Sequence, residues 1–483
     1  MHKMEDLRGC MEGVIEVLNE GLNFIYNNIL SISMLILLIA VGLFLTIRLR
    51  GFQFRRFGYI SKNTVGGLFK KDLHVKDGGS VSPFQAVTTA LAGTIGTGSI
   101  AGVATALVAG GPGAIFWMWL SALLGMVTKY SEIVLSLKYR EKNEEGAWLG
   151  GPMFYIKKGV GLKWLAVLFA VFAMIACIGT GNTTQSNSIA GVFESTFHVE
   201  PWITGIILMI IIGLVILGGV KRIASVNEKL VPAMAVLFII TSIVAVLFNV
   251  EKIPVAFELI FKEAFNFKAA FGGVAGYGIL TAMRYGVGRG VFSNEAGLGS
   301  APIAHAASST TEPVEQGLWG AFEVFITTIV ICTMSALIVL TSDVYLNAFN
   351  AGITPIYNGA ALSAAAFSEP LPYIGNIIIA ISTIFFALST ILGWAYYGEV
   401  CITYLFRKHQ KQAALIYRVI YIIFVFIGAV ADIGIVWLIA DCFNALMALP
   451  NLIALTVLSK VVVDTTKKYF EDKERSSKKD KNG

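Results

Sequence analysis

Apolar runs of about twenty residues, each bounded by charged or Gly/Pro-rich punctuation, recur from residue 28 to about residue 460. A helix needs roughly 20 apolar residues to cross a hydrocarbon core about 30 Å thick. The pattern predicts eleven such spans, near 28–47, 83–109, 113–137, 164–190, 201–219, 230–249, 271–304, 317–341, 372–405, 416–431 and 435–458. The first run is too long for a signal-peptide core, and no small-residue cleavage site follows it. It is therefore expected to stay as an extra N-terminal membrane helix behind an acidic, weakly amphipathic segment. The expected fold class is an all-α polytopic membrane protein.

Two spans do not read as unbroken helices. The second carries GTIGTGS (Gly93 to Ser99), and the seventh carries YGVGRGVFSNEAGLGS (Tyr285 to Ser300) with Arg289 and Glu295 at membrane depth. Each glycine costs a helix interior about 1 kcal/mol relative to alanine. Unwound backbone at that depth survives only where it is buried in protein or lines a cavity. With the first span set aside, the breaks fall in members one and six of a ten-helix series. Two five-helix units then each begin with an interrupted helix, on opposite sides of the membrane. That is the pattern of a five-plus-five inverted repeat, in which substrate and ion sites lie where the broken helices meet. The competing reading is that the glycines serve close helix packing.

Composition agrees and charge adds direction. The chain is 56% apolar and 14% charged, against roughly 45–50% and 25% for soluble domains, which excludes a water-soluble enzyme or nucleic-acid binder. Of the 37 Lys and Arg residues, 29 fall in loops 48–80, 138–163, 220–229 and 406–418 and in the tail. All of these share one side if the N-terminus is outside, so the positive-inside rule sets the N-terminus out and the C-terminus in the cytoplasm of a multi-pass cell-membrane protein. The net charge of +6 is thus a topology signal, and no nucleic-acid partner is expected. The predicted organisation is an outer segment 1–27, the extra helix 28–47, a basic loop 48–80, a first repeat 81–249, an outer connection 250–270, a second repeat 271–458 and a disordered tail 459–483. The five cysteines show no metal-ligand spacing. Gly96 to Ala101 matches GxGxxG/A, but its flanks are membrane helices, so a dinucleotide site is rejected. Asn182-Thr183-Thr184 matches a glycosylation sequon but lies inside a predicted span.

The motifs GGPGAIFWMWLSALLG (Gly110 to Gly125), ALAGTIGTGSIAGVATALVAGGPG, TKYSE, GGPMFYI, NEAGLGSAP and STILGWAYYGE resemble those of the alanine or glycine:cation symporter family, the sodium:alanine symporters. The resemblance spans roughly residues 80–460. It implies a leucine-transporter-like fold with one added N-terminal helix, and uptake of alanine or glycine, sometimes the D-enantiomer, coupled to Na⁺ or in some members to H⁺. The substrate, Na⁺ and the lipid bilayer are then the expected partners.

In the first break, N–H groups and hydroxyls of Thr94, Gly98 and Ser99 are candidates for the substrate carboxylate, and carbonyls at Gly96 and Thr97 for Na⁺. The family usually reads GTGN where this chain has Gly98-Ser99. Polar Asn182, Gln185 and Asn187 lie in the fourth span. Helix–helix adhesion is one reading of them, and the resemblance implies a substrate contact for Gln185. In the second break Gly288, Gly290, Val291, Phe292 and Asn294 are candidates for the amino end, with Phe292 as a lid or wall. In the ninth span the resemblance implies that Ser389 and Thr390 complete a Na⁺ site and that Trp394 caps a pocket sized for a methyl group. Oxygen donors suit such a hard cation. Back-bonding of Ser and Thr to their own helix is the alternative.

Arg289 and Glu295 are expected to pair as a latch, and Lys129 with Glu132 as an inner-surface pair. Glu132, Glu323, Glu399 and Asp441 are candidates for gates, proton sites or buried pairs. All five histidines fall near or outside span ends. An intramembrane enzyme lacks its constellation, and an ion channel lacks its filter.

Overall fold

The computed structural model describes residues 20–482 apart from 22, 25, 65, 67–80, 266–277 and 432. Most of the expected outer segment 1–27, the end of the basic loop 48–80 and the end of the connection 250–270, with the start of the seventh span, lie outside the described residues. A π turn, Tyr26–Leu30, leads into α1 (Ser31–Arg48). The first broken span is α2 (Pro83–Thr94) and α3 (Ala101–Gly110), separated by a 3-10 turn, Thr97–Ser99. α2 opens on a capping box: Gln85 N donates to Ser82 Oγ at 3.0 Å and Ser82 N donates to Gln85 Oε1 at 3.1 Å, with Pro83 at the first helical position. Gly111, at φ 70°, ends α3, and Pro112 opens α4 (Gly113–Tyr139).

A two-stranded hairpin (Glu141–Lys142 with Trp148–Leu149) and a short helix at Pro152–Tyr155 follow. α5 (Lys163–Ile178) and α6 (Thr184–Phe197) form one span around a π turn at Gly179–Thr183. Then come α7 (Pro201–Ile216), α8 (Gly219–Phe248) and α9 (Ile253–Ala264). The second broken span is α10 (Ile279–Asn294) and α11 (Ala301–Ala306). α12 (Pro313–Val324) runs through a π turn into α13 (Thr333–Leu340), followed by the short α14 (Asp343–Asn350) and α15 (Gly359–Ser368). α16 (Ile374–Leu405), α17 (Gln410–Val430), α18 (Ile433–Val457) and α19 (Ser459–Asn482) complete the chain.

Among the described residues, eight helical spans are long and apolar enough to cross a membrane. The molecule is inside-out by aqueous standards. Ile206, Ile210 and Leu214 on α7, Ile243 and Leu247 on α8, and Ile416, Ile420 and Ile423 on α17 are exposed, whereas Lys129, Glu132, Asn182, Gln185 and Glu323 are fully buried. Lipid rewards the first set, and only protein partners can satisfy the second. α4 packs against α1, α9, α10, α11 and α12, while α16 packs against α2, α5, α6, α8 and α17. The first break thus lies beside α16 and the second beside α4.

Three expectations are corrected. The second break is shorter than expected: residues 285–294 stay helical, and only Glu295 to Ser300 leave the helix. A Cβ on Gly286 would stand 2.2 Å from the Ala114 carbonyl oxygen, and one on Gly290 would stand 2.8 Å from Ser121 Oγ. These glycines let α10 lie close on α4, the packing reading, whereas Gly297 (φ 91°) and Gly299 (φ 81°) make the break. α8 begins eleven residues before the predicted span, because its charged first turns need no lipid and Glu228 takes a hydrogen bond from Gln85 at 2.9 Å. Residues 459–483, expected to be disordered, contain α19. Its Val462 is buried, Thr466 bonds Tyr130 at 2.7 Å, and Tyr469 donates to Glu315 at 3.0 Å. The loop at 305–316, which has no basic residue, borrows one: Arg140 donates to the carbonyls of Ala306, Ser308 and Thr310 at 3.0, 2.7 and 2.6 Å.

Candidate functional site

α2 stops at Thr94 because Gly96 is extended (φ −104°, ψ −167°). The turn that follows is held by side chains from other helices. Thr97 donates from its N and Oγ1 to Gln185 Oε1 at 3.3 and 3.0 Å. Gln185 Nε2 is anchored on the Thr180 carbonyl at 3.0 Å. Thr390 Oγ1 lies 2.8 Å from the carbonyls of both Ala92 and Phe386. A Cβ on Gly96 would stand 2.7 Å from Thr390 Oγ1 and 3.4 Å from Gln185 Oε1, so glycine is what lets these groups meet. All are buried.

Trp394 closes one side. Its Nε1 donates to the Gly93 carbonyl at 3.3 Å, and a Cβ on Gly181 would stand 2.1 Å from its own Cβ. On another side the two broken spans meet. Ser99 Oγ and Ser293 Oγ are 2.8 Å apart, Ser335 donates to the Ser99 carbonyl at 2.7 Å, and a Cβ on Gly98 would stand 2.7 Å from the Phe292 ring. Phe292 packs on Trp437 with ring centroids 4.9 Å apart, and the Arg289 guanidinium lies 4.8 Å from the Trp437 centroid. Trp437 and Arg289, with Ala101, Thr105 and Asn187, line a cavity of about 510 Å³. A chain of contacts therefore runs from that cavity through Trp437 and Phe292 to Gly98. A second cavity, of about 500 Å³, lies at the end of the bundle that carries the basic loops and reaches Tyr396.

The structure gathers Gly96, Thr97, Gly98, Ser99, Gln185, Phe292, Thr390 and Trp394, and turns four candidates elsewhere. The Thr94 hydroxyl bonds back to Ala90 and Leu91. Gly290 faces α4, and Val291 lines a small pocket with Leu38 of α1 and Ser121 of α4. Ser389 Oγ donates to the Phe386 carbonyl at 3.0 Å and touches Met234 Sδ at 3.4 Å, on the α8 side. The expected hydroxyl pair at the break is thus Thr390 alone.

The expected ion pairs also change partners. Arg289 reaches both oxygens of Asp441 at 3.4 Å instead of Glu295. Lys129 pairs with Glu323 at 3.0 Å and donates to the Asn294 carbonyl at 3.1 Å, while Glu132 takes the Asn451 amide and Gly297 N. His305, expected at a span end, is fully buried with Nε2 2.9 Å from Glu323.

The sodium:alanine symporter family profile matches residues 15–482. The chain belongs to the sodium:alanine symporter family. This symporter is similar to the sodium/alanine symporter AgcS of Methanococcus maripaludis, at 47% identity over 449 residues covering 92% of this chain and 96% of that one. It is also similar to the probable sodium/glutamine symporter GlnT of Bacillus subtilis, at 38% identity over 440 residues covering 91% and 88%. In fold it resembles MhsT, solved in complex with L-phenylalanine, with a TM-score of 0.57 at 14% identity over 77% of this chain and 88% of that chain. The symporter thus has a leucine-transporter-like fold and is a membrane transporter, not an enzyme.

Sequence reasoning missed two features of the symporter's site. Gly181 was visible within the GTG of residues 179–181, but its role depends on a π turn that brings Trp394 against it. The charge of Glu295 marks it in the sequence, but spacing does not place it beside Gly93, where a left-handed backbone at φ 58° turns it.

Proposed function

We propose that the symporter carries a small neutral amino acid, alanine or glycine, together with Na⁺ by alternating access. One observation carries the reading: Thr97, Gln185 and Thr390 converge on the unwound backbone at Gly96 in the buried middle of the bundle. Carbonyl and hydroxyl oxygens at Gly96, Thr97 and Thr390 form an all-oxygen donor set that suits a hard cation. The backbone at Gly98 and Ser99 and the Gln185 amide offer polar groups to the substrate, between Phe292 and Trp394 as walls. The close approach of both rings to glycines leaves room for a small side chain.

The topology reading is α1 followed by two units of five, α2/α3 to α8 and α10/α11 to α18, giving eleven crossings. Each unit opens with a broken helix. Each also carries non-spanning structure between its second and third members: residues 141–160 in one, α14 and α15 in the other. That correspondence supports an inverted repeat. The N-terminus is placed outside and the basic loops in the cytoplasm, since 29 of 37 basic residues share one side.

Na⁺-gradient-driven uptake of labelled alanine into proteoliposomes tests the reading, with glycine, D-alanine, serine and glutamine as competitors. Uptake indifferent to both Na⁺ and H⁺ gradients rejects symport. Uptake that follows a pH gradient alone replaces Na⁺ by H⁺ as the coupling ion.

A further inference from the structure

The second break holds a carboxylate that neither the proposed substrate site nor the proposed Na⁺ site uses. Glu295 is fully buried in the irregular stretch between α10 and α11. Its Oε2 accepts from Ser300 Oγ at 2.6 Å, and among the described residues its Oε1 has no partner of good hydrogen-bond geometry. The Trp394 indole N–H donates to the Gly93 carbonyl at 3.3 Å and is near enough to the Glu295 carboxylate to give it a second, weaker hydrogen bond. The buried Tyr397 hydroxyl likewise has no partner among the described residues. The two orphan groups face one point: a Cβ on Gly93 would stand 2.7 Å from Tyr397 Oη and 3.1 Å from Glu295 Oε1.

The charges around Glu295 do not balance. α4 contributes Lys129 and Glu132, α12 contributes Glu323, α11 contributes His305, α16 contributes Tyr397 and α5 contributes Cys177. His305 Nδ1 accepts from Gln316 Nε2 at 2.8 Å, and its Nε2 lies 2.9 Å from Glu323 Oε1. Among the described residues of this cluster, three carboxylates face one lysine, Lys129, and one imidazole, His305, and both of these are already held by Glu323. A buried carboxylate without a counter-ion costs several kcal/mol. Among the described residues both carboxylates carry one oxygen without a well-formed bond, but Glu132 has two N–H donors on its other oxygen, whereas Glu295 Oε2 has one hydroxyl, which can also accept a hydrogen bond from the acid.

We propose that Glu295 is a proton-binding site, neutral in this conformation, that exchanges its proton with the cavity at the basic end. The step balances simply: the carboxylate takes one proton from hydronium in the cavity, so one carboxyl O–H forms as one hydronium O–H breaks and leaves water. That cavity reaches Tyr396, one residue along α16 from Tyr397. Since Glu295 Oε1 faces Gly93 of the first broken span, movement of that span away from the anchored second break would wet the group and release the proton. Only this last consequence rests on the transport cycle proposed above.

Infrared difference spectroscopy of the purified full-length protein between acidic and alkaline buffers tests the site without substrate. The expected result is a protonated-carboxyl band near neutral pH, absent from Glu295→Gln and kept in Glu132→Gln. In proteoliposomes, Glu295→Gln should flatten the pH profile of alanine uptake. If Glu295→Gln does not fold, Ser300→Ala removes the one hydroxyl bonded to the acid and should shift the same band. A band that survives Glu295→Gln, or stays unshifted in Ser300→Ala, overturns the proposal. A band abolished by Na⁺ at constant pH overturns it too, by assigning the carboxylate to sodium. If the band behaves as expected but no uptake occurs, the transport reading fails and the proton site stands.

Discussion

The two broken spans answer the same sequence signal in opposite ways. Around Gly96 the backbone has negative φ, and the groups that reach it are neutral: a threonine, a glutamine amide and a tryptophan N–H. Around Gly297 the backbone is left-handed at three positions, and it is tied down by ionisable groups. Lys129 holds the Asn294 carbonyl, Glu132 takes Gly297 N, and Asn451 holds the Gly297 carbonyl at 2.9 Å. A break ringed by neutral oxygens can exchange them for a ligand at modest cost. A break pinned by buried charges cannot release one partner without stranding another. The first therefore suits binding, and the second suits anchoring.

Substitutions can break or sharpen that contrast. Lys129→Met should have the largest effect, since it leaves Glu323 without its cation: about 3–5 kcal/mol of stability, read as a lower melting temperature in detergent. A wild-type melt would mean that charge does not anchor the second break. Gly181→Ala should come next, forcing a methyl into Trp394 at a cost of roughly 1–3 kcal/mol and abolishing uptake. Gln185→Ala should melt within about 1 kcal/mol of wild type yet weaken substrate competition about tenfold, the worth of one or two buried hydrogen bonds. Wild-type affinity there would move the pocket away from the first break. The smallest contrast is between neighbours: Thr390→Ala should raise half-saturating Na⁺ several-fold, while Ser389→Ala, whose hydroxyl faces Met234, should leave it unchanged.

Much of this was legible in the chain because lipid imposes a simple grammar. Span positions and the first break follow from run length and glycine clustering, and Gln185 is visible as a polar residue in an apolar helix, whereas Thr390 is singled out only by the family resemblance. Partner choice was not legible. Lys129 and Glu132 share a helix face at i, i+3, yet in a buried bundle the neighbouring helices decide, and α12 brings Glu323 closer. The tail misled for a related reason: its mixed charge reads as solvated, but Val462, Thr466 and Tyr469 find partners on α4 and α12 that composition does not reveal. The glycines of α10 obeyed both readings, packing at Gly286 and Gly290 and unwinding at Gly297 and Gly299.

The π turn at Gly179–Thr183 acts as one inserted residue in an otherwise regular helix. It advances every later side chain by about 100° relative to the face set by residues 163–178. Gln185 points at the first break because of that offset in phase. Moving single pocket residues between relatives should therefore transfer selectivity only where the offset travels with them.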